Sequence, residues 1–366
     1  VPFAHDIITD ISERVEKFAR ARVREALADE VFAGSGATDP AASLLLETAA
    51  AALTGGKRLR ARFALLGWRA ATAREEPNAA ALSLGAALEI FQAAALVHDD
   101  IVDNSDTRRG HPSTWRALEA AHRERGWVGD SEAFGRSGAI LLGDLLLGWS
   151  DDLFEEATAG AAERRATRAV YQRMRRDVIL GQFLDVSEEA AWVRTPDAEH
   201  AERAMRIAVL KSARYSVAQP LELGATLGGA SDAVRRGLAE VGAPLGLAFQ
   251  LRDDILGVFG DPSVTGKPAG DDLREGKRTL LVAYAREGMD PAERSRFDAR
   301  IGAADLAPED VRALQDLVRT TGALERAEAL ISDRADAART AIGSEELAGV
   351  AGDLERLVEA TTRRET

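Results

Sequence analysis

The chain of 366 residues contains no cysteine, so disulfides and thiolate metal sites are excluded and stability must come from packing. Aromatic residues contribute only 5%, and strand-like runs of Val, Ile, Thr and aromatics are almost absent. The abundant alanine and leucine lose little side-chain freedom in a helix, which points to an all-helical protein. Basic residues are outnumbered, 47 Lys and Arg against 60 Asp and Glu, for a net charge of −13. Nucleic acid and anionic membranes are repelled overall, so an anionic ligand must be met by a local basic cluster or by metal ions. The opening VPFAHDIITDISERVEK has neither the basic stretch nor the apolar core of a secretion signal, and its start without Met is read as a trimmed end. A cytoplasmic location is expected. The longest weakly charged stretch, 77–97, is broken by Glu89 and Gln92, which favours a buried helix over a membrane span.

Apolar residues at Ile7, Ile11, Val15, Phe18, Val23, Leu27 and Val31 mark an amphipathic first helix that stops in the Gly34–Pro40 segment. Helical patterns follow at 41–53, 58–74, 78–104, 138–158, 161–190, 198–228, 231–258 and 278–287, with several more toward the C-terminus. The punctuation between them is short, and no linker or low-complexity tract divides the chain. The expected architecture is one large all-α bundle over 1–366 enclosing an apolar cavity.

Two segments echo each other inside these patterns: Val97-His98-Asp99-Asp100-Ile101-Val102-Asp103 and Gln250-Leu251-Arg252-Asp253-Asp254-Ile255-Leu256-Gly257. On a helix Asp99 and Asp103 lie one turn apart on one face, where their charges repel unless cations neutralise them. The ordinary alternative is a solvated acidic face, but Phe91, Ala93 to Val97, Ile101 and Val102 make this helix apolar, and acids on a buried helix need partners. An all-oxygen donor set selects a hard cation, and carboxylates at this spacing suit magnesium shared with phosphate oxygens. Cationic donors for a diphosphate are available at Gly55-Gly56-Lys57-Arg58-Leu59-Arg60, at Arg108-Arg109-Gly110, and at Lys267 and Lys277, although each group alone is ordinary surface charge. A P-loop is excluded, because five residues separate Gly260 from Gly266 and Pro268 stands where Ser or Thr is required. The five histidines lack metal-ligand spacing, and His98 is expected to hydrogen-bond the acidic cluster.

Taken together, GGKRLR at 55–60, HDDIVDNSDTRRG at 98–110, GQFLD at 181–185, KS at 211–212, FQLRDD at 249–254 and GKPAGDD at 266–272 resemble the trans-isoprenyl diphosphate synthase (polyprenyl synthetase) family. The resemblance implies the isoprenoid synthase fold and a prenyltransferase that joins isopentenyl diphosphate to an allylic diphosphate such as dimethylallyl, geranyl or farnesyl diphosphate. It also implies a homodimer. By the same resemblance Asp99, Asp103 and Asp253 hold magnesium, three ions with substrate bound and replaceable by manganese, with Asp100 and Asp254 beside them in the catalytic group. Arg108, Lys211, Ser212, Gln250, Lys267 and Lys277 would contact or shape the allylic diphosphate site. Gly56, Lys57, Arg60, Gln92 and Arg109 would bind isopentenyl diphosphate without metal, and Gln182 and Asp185 would support the reacting centre.

The second acidic motif departs from the family's DDxxD pattern at Gly257, with Asp261, Asp271 and Asp272 as alternative sources of the third carboxylate. The small Ala94 and Ala95 below Asp99 leave the product cavity open at that level, and Phe91, about 12 Å deeper along the helix, is expected to floor it. This favours geranylgeranyl diphosphate over farnesyl or longer products. A class I terpene cyclase needs no second diphosphate site of the GGKRLR kind, and a non-catalytic regulatory subunit needs no intact first motif, so elongation is preferred to both.

Overall fold

A computed structural model describes residues 5–29, 31, 39–261 and 269–362. Among these residues the secondary structure is helical except for one two-stranded hairpin, as the composition implies. Two compact units can be distinguished, one made of 1–65 and 74–164, the other of 66–73 and 165–366.

The first unit contains α1 (His5–Leu27) and α2 (Pro40–Ala52). The next helix, α3 (Leu59–Thr72), begins in this unit and ends in the other. The centre of the first unit is α4 (Ala79–Val102), capped by Asn78, whose side chain accepts the N–H of Ala81. It is apolar on nearly every face, and 72% of its most apolar window is buried, as befits a core helix. Among the described residues no other helix is long and apolar enough to cross a bilayer. The hairpin β1 (Thr107–Arg108) and β2 (His111–Pro112) pairs Arg108 with His111. Its turn residues Arg109 and Gly110 both have positive φ, the pattern of a two-residue hairpin turn. Then come α5 (Thr114–Glu124) and α6 (Ser131–Thr158), which pack on each other, α6 lying along α4.

The second unit is built on α7 (Arg164–Ala191), α8 (His200–Ile207), a π-helical segment Ala208–Ala218, α9 (Gln219–Leu227) and α10 (Asp232–Phe259). Shorter helices follow: α11 (Asp271–Glu275), α12 (Leu280–Glu287), α13 (Pro291–Arg300) and α14 (Pro308–Thr320). Two longer ones, α15 (Ala323–Ile342) and α16 (Ala351–Thr362), complete the unit. Its core joins Leu251, Ile255 and Val258 of α10 to Leu273, Leu281, Phe297, Val318 and Ile331. Glycine sets the closest approaches. A Cβ on Gly242 or Gly246 would strike the backbone of Ala218 or Ala213, and one on Gly181 would strike the backbone of Lys211. Helices α7 and α10 therefore both meet the π segment backbone to backbone.

Several expected boundaries move. The first helix ends at Leu27, and Val31 is 84% exposed instead of continuing its apolar face. The 138–158 pattern begins earlier, at Ser131, because Asp130 caps it by accepting the N–H groups of Glu132 and Ala133. Helix α5, with Trp115, Leu118 and Ala121 buried on one side, falls between the helical patterns expected at 78–104 and 138–158. The helix expected over 198–228 widens into π geometry in its middle.

Candidate active site

In the first unit, the loop before α3 turns through positive φ at Gly55, Gly56 and Arg58. A non-glycine residue held there needs its surroundings to over-determine the conformation. Arg58 is buried and gives Nη2 to the carbonyl of Leu53 at 2.8 Å and Nε to Ser12 Oγ at 3.2 Å. Its Nη1 lies 3.8 Å from Glu89, a buried acid on α4 that also accepts the N–H of Ala61 at 3.0 Å. Glu89 thus ties the loop carrying Gly56, Lys57 and Arg60 to the core helix. In the sequence Glu89 only interrupts an apolar run, yet a lone acid in an apolar helix signals a hidden partner.

The hairpin returns Arg109 to this loop. Its guanidinium lies 3.1 to 3.4 Å from the place a Cβ on Gly56 would take, a tight contact, and donates to the carbonyl of Thr54 at 3.3 Å. Partial desolvation and the charges of Arg58, Arg108 and Arg60 lower the Arg109 pKa, with Glu89 opposing. A cluster of like charges around one residue is what an anion would relieve. Gln92 lies on α4 with its Oε1 buried and, among the described residues, without a hydrogen-bond partner.

The first acidic motif closes α4. Asp99 is in its last turn and Asp103 is its C-cap, whose N–H reaches the carbonyl of Asp99 at 2.8 Å. Asp100 is buried, and Arg108 donates to its Oδ1 through Nε at 2.8 Å and also through Nη2. Arg108 Nη2 is 3.9 Å from Asp99 as well. The arginine expected at a phosphate is therefore anchored in the acidic motif. His98, expected to bond to that motif, meets α6 instead: its Nε2 lies 3.2 Å from the carbonyl of Ile140, beside Gly143, whose missing side chain makes room for the ring. The floor candidates Phe91 and Ala94 are buried, and Ala95 is partly exposed.

In the second unit three helices supply acids and one cation. Lys211, on the π segment with Ser212, donates to Asp185 Oδ2 of α7 at 2.6 Å, one turn from Gln182. On α10, Asp253 is partly exposed and Asp254 buried, its Oδ1 accepting from Gln250 Nε2 at 2.7 Å. Burial pushes the Asp254 carboxyl up to about 8; the charges of Asp272, Asp253 and Asp185 add to the rise and the Gln250 bond opposes it. Arg252 holds this end of α10 in place, forking onto Glu328 with two 2.6 Å bonds and reaching the carbonyl of Thr362 at 3.0 Å. Lys277 pairs with Glu275 at 2.8 Å, a partner the sequence did not bring to notice. Lys267 lies outside the described residues.

The acidic donors are all oxygen, which fits a hard divalent ion. Among the described residues no group of three or more His, Cys, Asp or Glu could hold a metal ion by itself. Such an ion must draw remaining ligands from water or substrate, as magnesium bound to phosphates does.

A polyprenyl synthetase family model matches residues 43–318, more than half of the chain. A geranylfarnesyl diphosphate synthase of Aeropyrum pernix is 34% identical over 281 residues, covering 75% of this chain and 79% of that protein. A geranylgeranyl diphosphate synthase of Mycobacterium tuberculosis is 32% identical over 292 residues, covering 80% and 76%. The crystal structure of geranylgeranyl pyrophosphate synthase from Corynebacterium glutamicum, complexed with isoprenyl diphosphate and magnesium, superposes with a TM-score of 0.90 at 36% identity and 99% coverage of both chains. The chain belongs to the polyprenyl synthetase family, with its all-α fold, and is a prenyltransferase.

Proposed function

We propose that this prenyltransferase condenses isopentenyl diphosphate with an allylic diphosphate, whether dimethylallyl, geranyl or farnesyl diphosphate, to give geranylgeranyl diphosphate. The observation that carries the reading is the cationic cluster around Arg109 and Gly56, formed without acidic-motif side chains other than Asp100 through Arg108. It provides for a metal-free diphosphate, while the carboxylates serve a metal-bound one. An enzyme that only ionises and cyclises one diphosphate has no use for the first.

In this reading Lys57, Arg60, Arg109 and Gln92 orient isopentenyl diphosphate, and Asp99, Asp103 and Asp253 hold magnesium, three ions per allylic diphosphate and exchangeable for manganese. When bound, magnesium offsets the negative charge that grows on the leaving diphosphate as the allylic carbon–oxygen bond breaks. Arg108 and Lys211 act on the same charge as fixed donors, and Asp100 and Asp185 keep them aimed. Lys267, Lys277 and Ser212 complete the allylic phosphate contacts. The electron pair of the broken bond stays with diphosphate, and the double bond of isopentenyl diphosphate attacks the allylic cation. The proton released passes to the departing diphosphate, so no side-chain base is required. Phe91 ends the space for the growing chain, and the small Ala94 and Ala95 leave room above it.

The protein acts as a homodimer in this proposal. Helix α6 leaves Ile140 and Leu141 exposed, and α7 leaves Ile179, Leu180, Phe183 and Val186 exposed at helical spacing, apolar side chains for which a partner subunit is the natural cover. The whole of 1–366 is taken as one functional unit, since the family match runs through segments of both compact units. The test is incubation of the purified chain with magnesium, isopentenyl diphosphate and allylic primers of increasing length. Geranylgeranyl diphosphate is expected; a cyclised hydrocarbon or no product overturns the reading.

A further inference from the structure

Gly257 follows Asp253 by one helical turn on α10, so the two positions share a face. A Cβ built on Gly257 would run into the side chain of Asp272: the three heavy atoms nearest to it are that carboxyl's carbon and both its oxygens. The space a side chain at 257 would enter is held by the carboxylate of another residue. Asp272 is brought there by a well-anchored segment. Its carbonyl accepts the N–H of Lys277 at 2.9 Å, and the neighbouring Leu273 is fully buried, its carbonyl accepting the N–H of Gly302 at 2.9 Å. Of the three acids that could stand in for the absent one, Asp261 and Asp271 do not come among the atoms nearest Gly257.

We propose that Asp272 supplies the third carboxylate of the second acidic motif, and that glycine at 257 is its necessary complement. The inference rests on the magnesium–diphosphate reading given above. The geometry makes the two positions alternatives. An aspartate at 257 would force two carboxylates into one volume, which steric overlap and like-charge repulsion both oppose. With Asp272 removed, that same aspartate has somewhere to go.

The test uses the full chain and titrates inorganic diphosphate with magnesium by calorimetry. The proteins compared are wild type, Asp272→Asn, Asp272→Ala, Gly257→Asp and the double variant Gly257→Asp/Asp272→Ala, with circular dichroism reporting folding. Asp272→Asn, which keeps the shape and removes the charge, is expected to weaken magnesium-dependent binding by about ten- to a hundredfold. Asp272→Ala and Gly257→Asp should be at least as weak, and the double variant should recover most of the wild-type affinity. Wild-type affinity in Asp272→Asn, or a double variant no tighter than Asp272→Ala, overturns this inference alone. Failure of the wild type itself to bind diphosphate with magnesium overturns it together with the functional reading.

Discussion

Glu89 accepts the backbone N–H of Ala61 at 3.0 Å, so a buried carboxylate on the core helix holds the first turn of the helix that follows the glycine-rich cationic loop. Replacing Glu89 by alanine leaves that N–H and the nearby Arg58 without their acid. The expected loss is about 1–3 kcal/mol in chemical denaturation. Because Arg60 rides on that turn and Lys57 on the loop leading into it, KM for isopentenyl diphosphate should rise on the order of ten- to a hundredfold. The KM of the allylic substrate should stay near wild type. Glu89→Gln keeps an accepting oxygen and should recover most of the stability, whereas Glu89→Met, which fills the space without an acceptor for Ala61 N–H, should not.

Metal removal separates the two diphosphate sites. Excess EDTA should stop elongation completely while isopentenyl diphosphate still binds, measured by calorimetry with and without magnesium. Asp253→Ala should lower kcat on the order of a thousandfold or more at saturating magnesium. Isopentenyl diphosphate binding lost in parallel with turnover would contradict the metal-free assignment.

Phe91 is 3% exposed on α4, two turns before Asp99. If it floors the product cavity, Phe91→Ala shifts products toward lengths beyond twenty carbons, read by chromatography of the dephosphorylated alcohols. The truncation also costs about 3–5 kcal/mol of stability. Phe91→Leu is the milder companion, expected to lengthen products less and to remain folded. An unchanged product distribution in both sinks the assignment.

His200 sits under Trp192 with ring centroids 3.7 Å apart, facing Glu188 at 3.5 Å, Asp197 at 3.8 Å and the Arg286 guanidinium. Glu188 is also bonded to Arg203. Burial, then the charge of Arg286, lowers the His200 pKa below its ordinary 6.5, against the pull of Glu188 and Asp197. The unfolded chain therefore binds a proton at this residue before the folded protein does. Its contribution is full above pH 6.5 and is lost as the pH falls through the folded-state pKa. Melting temperatures of wild type and His200→Gln measured from pH 8 to about pH 5 should diverge in slope below 6.5, with the wild type the steeper. Parallel slopes would refute the assignment.

Much of the site was legible from local patterns. The run from His98 to Asp103 sits inside a continuous apolar period, so both its helix and the crowding of its acids follow from neighbours in sequence. The same holds for FQLRDD at 249–254. Boundaries set by side-chain caps were less visible: Asp130 starts α6 seven residues before the apolar pattern does. The π geometry around Lys211 was hidden altogether, since its residues read as ordinary helix, and the packing of Gly181, Gly242 and Gly246 against that backbone accompanies the wider turn.

Composition and apolar period determined, from the sequence alone, that this chain is all-helical and carries two unequal acidic motifs, and the order of its charged motifs carried the family resemblance that implied a prenyltransferase. Those properties depend on residue type and on spacings of a few residues, which the chain carries whatever its fold. Which acid fills the gap at Gly257, which arginine lies over Gly56 and which carboxylate steadies Lys211 were decided by tertiary structure. Each joins residues 15 to 53 positions apart, at separations where no periodicity relates one residue to another and only the tertiary fold brings them into contact.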